Sequence, residues 1–133
     1  EYEDLSFRLQ KLMALRMVWF CVKRFARGDL PATDREMSKD LNLPLKIIKI
    51  LLGKLLESNL LFQVTSTPDR IGYSPAMDIE SLTIMDVITA FEQPAAESIQ
   101  MGGTLEFEAL EESLNTFAFS ARNSSGLRKL KDI

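Results

Sequence analysis

At 133 residues, with 46% apolar and 26% charged side chains, the chain has the length and composition of one globular domain able to bury a core of its own. It has no histidine and a single cysteine, Cys21, which excludes a disulfide framework, Cys/His zinc sites and the common nucleophile–base pairs within one chain. The net charge of −3 is uneven: residues 1–70 hold 12 Lys/Arg against 9 Asp/Glu, a net of +3, and residues 71–133 hold 4 against 10, a net of −6.

The first element is a long helix over Asp4–Ala26. Leu5, Leu9, Leu12, Leu15, Trp19, Val22 and Phe25 recur at three- and four-residue steps and form its apolar stripe. Trp19, Phe20 and Phe25 are expected in the core. The greasiest run, Leu12 to Val22, is interrupted by Arg16 and falls short of the roughly 20 apolar residues a membrane span needs. Cys21 lies inside that run and reads as an inert small hydrophobe. Lys23, Arg24 and Arg27 complement the negative end of the helix dipole. Gly28 and Asp29 stop the helix, and Pro31 cannot continue it.

Thr33 and Glu36 have the spacing of a capping box and start a short helix through Leu41. Asn42-Leu43-Pro44 is a tight turn, with Pro44 suited to the first position of a third helix, Leu45 to about Ser58. Two helices joined so closely describe a helix-turn-helix. Leu60–Thr65 and Arg70–Ser74 are strand-like and flank a Pro-containing turn, which makes a hairpin directly behind it. The fold class is therefore mainly helical with a small β-hairpin: a winged helix-turn-helix with additional N- and C-terminal helices.

Thr83, with Asp86 three residues on, caps a helix over Ile84–Phe91. Residues 93–103 form a connector holding Pro94 and the Gly102-Gly103 pair. Leu105–Phe119 is amphipathic, with Leu105, Leu110, Leu114 and Phe117 on its apolar side. Glu106, Glu108, Glu111 and Glu112 form its solvent face. Asn123 to Gly126 breaks it, and a basic-apolar tail, Leu127–Ile133, follows. This divides the chain into a winged-helix domain, residues 1–92, and a connector, helix and tail packed on it, residues 93–133.

In a DNA-binding helix-turn-helix the third helix enters the major groove. Here its polar positions Lys46, Lys49, Gly53 and Glu57 share one face, and Lys54 sits on the flank. Lysines suit phosphates better than base edges, so sequence reading is expected to be weak. The helix also carries more apolar residues than one core stripe needs, so some of Ile47, Ile50 and Leu51 should stay exposed and offer a protein contact. At the hairpin tip, Arg70 is placed to reach a minor groove. The candidate contact residues are Lys46, Lys49, Ile50, Gly53, Lys54 and Arg70. No catalytic, metal or cofactor site is expected, and the chain reads as non-enzymatic.

Tyr73, Pro75, Ala76, Asp78, Ile79, Leu82, Thr83, Ile84 and Val87 stand in a Y-x-P-A-x-D-I-x-x-L-T-I-x-x-V pattern, and the tail ends in Lys131-Asp132-Ile133. In these stretches the chain resembles the C-terminal cytoplasmic domain of bacterial YihY/BrkB-type inner-membrane proteins, once labelled ribonuclease BN. That resemblance is clearest from Pro31 to Glu92 and at the tail. It implies a membrane portion ahead of Glu1, a position at the cytoplasmic face of the inner membrane, and docking to a protein partner or to the rest of a membrane-embedded chain, with weak contact to duplex DNA. The same unit is similar to the bacterial iron–sulfur and cysteine-metabolism transcription regulators, whose three cluster cysteines are missing here. That second similarity implies the alternative: a cytoplasmic, dimeric DNA-binding regulator without a cluster, its dimer made by the first helix or by Leu105–Phe119.

Overall fold

The computed structural model describes residues 5–92, 103–122 and 125–133. Most of the connector, residues 93–102, and the Asn123-Ser124 break lie outside the described residues. The first helix, α1, is Phe7–Arg27. It starts later than the periodicity suggests because Ser6, in extended conformation, caps it; its Oγ accepts from the Leu9 amide at 3.1 Å. It ends at Gly28, whose φ of 77° closes the last turn in the left-handed region.

Helix α2, Asp34–Leu41, has the reciprocal capping box: Glu36 N–H donates to Thr33 Oγ1 at 3.1 Å and Thr33 N–H to Glu36 Oε1 at 3.0 Å. Asn42 makes the turn with φ 55°, and Pro44 sits one step before α3, Leu45–Glu57, rather than inside it. The hairpin pairs β1, Leu61–Thr67, antiparallel to β2, Arg70–Pro75, with Leu61 opposite Pro75 and an irregularity after Thr65. Its second strand also bridges back to the α1–α2 segment: Tyr73 N–H donates to Ala32 O at 2.8 Å. At the neighbouring residue, a Cβ on Gly72 would lie 2.4 Å from Pro31 O, so only glycine allows the hairpin this close.

Helix α4, Ile84–Glu92, begins with a second capping arrangement between Thr83 and Asp86. Helix α5 is Leu105–Arg122. Two single 3₁₀ turns, Ser125–Leu127 and Leu130–Asp132, finish the chain. The tail is strapped onto the body: Ile84 N–H donates to Arg128 O, Leu130 N–H to Leu82 O, and the Leu130 side chain is buried.

The core lies where α1 passes the hairpin, α4 and the tail. Ala14, Met17, Val18, Cys21 and Val22 of α1 meet Met37, Leu41, Ile48, Leu51, Leu52, Leu55, Leu60, Leu82 and Val87 there. The stripe read from the sequence is rotated: Leu12 and Phe25 are exposed, and Trp19 and Phe20 only pack against the core from its edge. α1 carries apolar residues on most sides, with its basic residues scattered among them, so spacing alone does not choose its inner face. The chosen face carries the smaller and less bulky side chains, which let neighbouring elements approach closely. α5 is the other departure, since Leu105, Leu110, Leu114 and Phe117 stand 85%, 64%, 69% and 75% exposed.

Candidate nucleic-acid interface

Helix α3 turns Ile48, Leu51, Leu52 and Leu55 into the core. Its apolar excess is partly absorbed: of the three residues expected to supply exposed surface, Leu51 is fully buried and Ile47 and Ile50 are half-buried. Hairpin, α1 and α2 together surround more of α3 than a single stripe would cover. What remains outward is the row Lys46, Lys49, Gly53 and Glu57.

Lys49 Nζ lies 3.7 Å from Asp34 Oδ2, so the first turn of α2 stands beside this row. Gly53 is exposed, and a Cβ there would meet nothing. A mid-helix glycine costs about 1 kcal/mol relative to alanine, and this fold gives no packing reason for it. Lys54 departs from the row. It is half-buried, with Nζ 5.3 Å from the centre of the Phe91 ring on α4.

Arg70 does not extend from the hairpin tip. Its guanidinium turns back onto α2 and donates to both carboxylate oxygens of Glu36, at 3.1 and 2.9 Å, and to Pro31 O at 3.0 Å. The Arg70 hydrogen bond is the main cause holding the Glu36 carboxyl below its ordinary pKa, opposed by partial burial and helped by the Thr33 amide and by Arg24. The outward residues at the tip are Thr65, Ser66, Thr67, Pro68 and Asp69. Between that tip and the start of α2 lies a cleft of about 300 Å³ lined by Thr33, Asp34, Arg35, Pro68, Asp69, Ile71 and Tyr73.

The structure thus brings Lys46, Lys49 and Gly53 together on one face, places Ile50 half-buried on α3, and separates Lys54 and Arg70 from that face. Arg35 was missed. It is exposed on the first turn of α2, next to the residue that pairs with Lys49, so a cation stands where the first helix of a helix-turn-helix crosses a backbone. The signal was present in the capping-box stretch itself, where Arg35 has no role in the cap.

Among the described residues no group of three His, Cys, Asp or Glu side chains could hold a metal. Cys21 is buried, and desolvation pushes its thiol up to about 12, which leaves no thiolate near neutral pH.

No protein-family model and no curated protein matches the chain. Its fold, however, is that of solved regulators. A Listeria innocua protein assigned as a transcriptional regulator superimposes with a TM-score of 0.65 at 22% identity, over 93% of this chain and 82% of its own. CymR, the global cysteine regulator of B. subtilis, gives 0.66 at 16% identity over 97% and 94%. IscR from T. potens gives 0.65 at 14% identity over 99% and 88%. The chain has the winged-helix fold found in these regulators.

The resemblance to YihY/BrkB membrane proteins does not hold. Regulators share the fold along nearly the whole chain, and no helix among the described residues is long and apolar enough to cross a membrane. The pattern that suggested it has a local structural origin. Pro75 ends β2, the Asp78 carbonyl accepts from the Ser81 and Leu82 amides, Leu82 is buried, and Thr83 with Asp86 caps α4.

Proposed function

We propose that the protein is a DNA-binding transcription regulator that acts as a dimer, without enzymatic activity and without an iron–sulfur cluster, in the compartment that holds the cell's DNA. The observation that carries this reading is the outward row Lys46, Lys49 and Gly53 on α3, flanked by Arg35. These residues present cations and a bare patch of backbone where a groove-entering helix needs them. Ile50 borders the row and meets the sugar or thymine-methyl surface. Against the rival reading, a protein-docking α3, stands the burial of Ile48, Leu51, Leu52 and Leu55, which leaves Ile47 and Ile50 half-buried as its outer apolar surface.

The dimer is made by α5 of one copy against α1 of the other, and the DNA-contacting elements are α2, α3 and the hairpin. The exposed leucines of α5 supply the apolar surface. α1 has six basic residues, Arg8, Lys11, Arg16, Lys23, Arg24 and Arg27, and no acid, whereas α5 has four glutamates in its first half. A groove of about 380 Å³ along α1, lined by Leu12, Leu15, Arg16, Trp19, Ile84, Leu130 and Ile133, is apolar apart from Arg16 and takes leucine side chains from α5 of a second copy. A two-fold dimer presents two recognition helices to half-sites one helical turn, about 34 Å, or a multiple of it apart.

Selection from a pool of random duplexes, followed by footprinting, tests the reading. It predicts an inverted repeat protected on one face of the DNA. Failure to retain any duplex at low salt would overturn it.

A further inference from the structure

Arg70 sits at the base of a three-way junction. Its guanidinium binds Glu36 of α2 through both oxygens and binds the carbonyl of Pro31 in the α1–α2 segment, and its Nε is buried without a partner. Arg24, from the last turn of α1, reaches the same Glu36 oxygen at 3.3 Å and donates to Leu30 O at 3.0 and 2.7 Å. Glu36 also accepts from its own cap. One carboxylate therefore gathers α1, α2 and β2, beside the Gly72–Pro31 approach and the Tyr73–Ala32 bridge.

A forked guanidinium on a carboxylate fixes direction as well as distance. We propose that Arg70 is a positioning residue that sets the angle of the hairpin against the helix-turn-helix, rather than a cation delivered into a groove. The tip it leaves behind is hydroxyl-rich and carries Asp69, so it meets the DNA backbone through Thr65, Ser66, Thr67 and main-chain amides. A narrow, A-tract minor groove attracts inserted arginine, and this hairpin has none to insert. Flanking A-tracts therefore confer no advantage.

The functional arm of this inference rests on the DNA-binding reading above; the structural arm does not. Hydrogen exchange on the free protein reads the clamp directly. R70Q, R70K and E36Q should each speed exchange of the Tyr73 amide about tenfold, since the E36Q side chain still caps α2 but no longer holds the fork. Unchanged Tyr73 exchange overturns the clamp.

On duplex DNA, all three variants should bind about tenfold more weakly, with an unchanged dependence on salt and no change in preference between A-tract and mixed flanks. R70K binding like the parent while R70Q loses about one phosphate's worth of salt dependence would make Arg70 a direct contact and overturn the proposal. Tighter binding by E36Q would do the same. A parent protein that ignores duplex DNA at low salt removes the DNA-binding reading and leaves the exchange result standing.

Discussion

Helices α3 and α5 both carry leucines at helical spacing and meet opposite fates. α3 buries Ile48, Leu51, Leu52 and Leu55 against α1, α2 and β1, while α5 leaves Leu105, Leu110, Leu114 and Phe117 in solvent. An apolar stripe announces that a helix will be covered; it does not say by what. For α3 the cover is the same chain, and its outer face is free to carry Lys46 and Lys49. For α5, whose substantial contacts among the described residues are with the Ser125–Leu127 turn, the cover we propose is a second copy.

The sharpest way to break that contrast is to truncate one leucine in each helix. Leu55→Ala removes a fully buried side chain and should lower unfolding stability by about 2–5 kcal/mol in denaturant titrations. Leu114→Ala, on the exposed face, should leave monomer stability within about 0.5 kcal/mol. If both cost the same at protein concentrations where only monomer exists, α5 is packed within its own chain and the contrast fails.

The second prediction concerns association. Leu114→Glu adds a charge to the proposed interface and should weaken self-association by about 2 kcal/mol, roughly thirtyfold in Kd, by analytical ultracentrifugation. DNA binding by the monomer would then lose the gain from paired half-sites. Equal dissociation constants for parent and variant would move the dimer contact away from α5.

A smaller effect is expected on the outer face of α3. Lys49→Ala should weaken DNA binding across all sequences and reduce the salt slope by about 1, with little change in stability, because its pair with Asp34 is solvent-exposed. A variant that alters preference at one base pair instead would make Lys49 a base-reading residue.

The smallest effect is the pH response of Glu36. Its carboxyl is held down in the folded protein, first by Arg70, so the unfolded chain binds this proton more readily. The stabilisation is fully present above the ordinary glutamate value, about 4.3, and is lost as pH falls through the lower folded value. The stability difference between the parent and Glu36→Gln should be greatest near neutrality and shrink on acidification. A difference that grows toward acid would contradict the pair.

The sequence made some of these features legible because their causes are local. Both capping arrangements, Thr33 with Glu36 and Thr83 with Asp86, span three residues, and both are present as read. The helix–turn–helix–hairpin order is likewise visible in the change from helical to alternating periodicity. The inner face of α1 is not, because a helix apolar on most sides leaves the choice to whatever packs on it. Arg70 shows the limit most clearly: its partner Glu36 lies 34 positions earlier, and a tip arginine looks the same in sequence whether it is free or clamped. The half-buried setting of Lys54 is hidden for the same reason, since Phe91 reaches it from α4.

The central claim is that α3 of this winged helix meets DNA through an outward cationic face. Fluorescence polarisation with a labelled duplex, titrated from low to physiological salt, tests it most directly. Log affinity should fall linearly with log salt concentration, with a shallower line for the Lys46→Ala/Lys49→Ala double variant. Absence of binding at the lowest salt, or identical lines for parent and double variant, would contradict it.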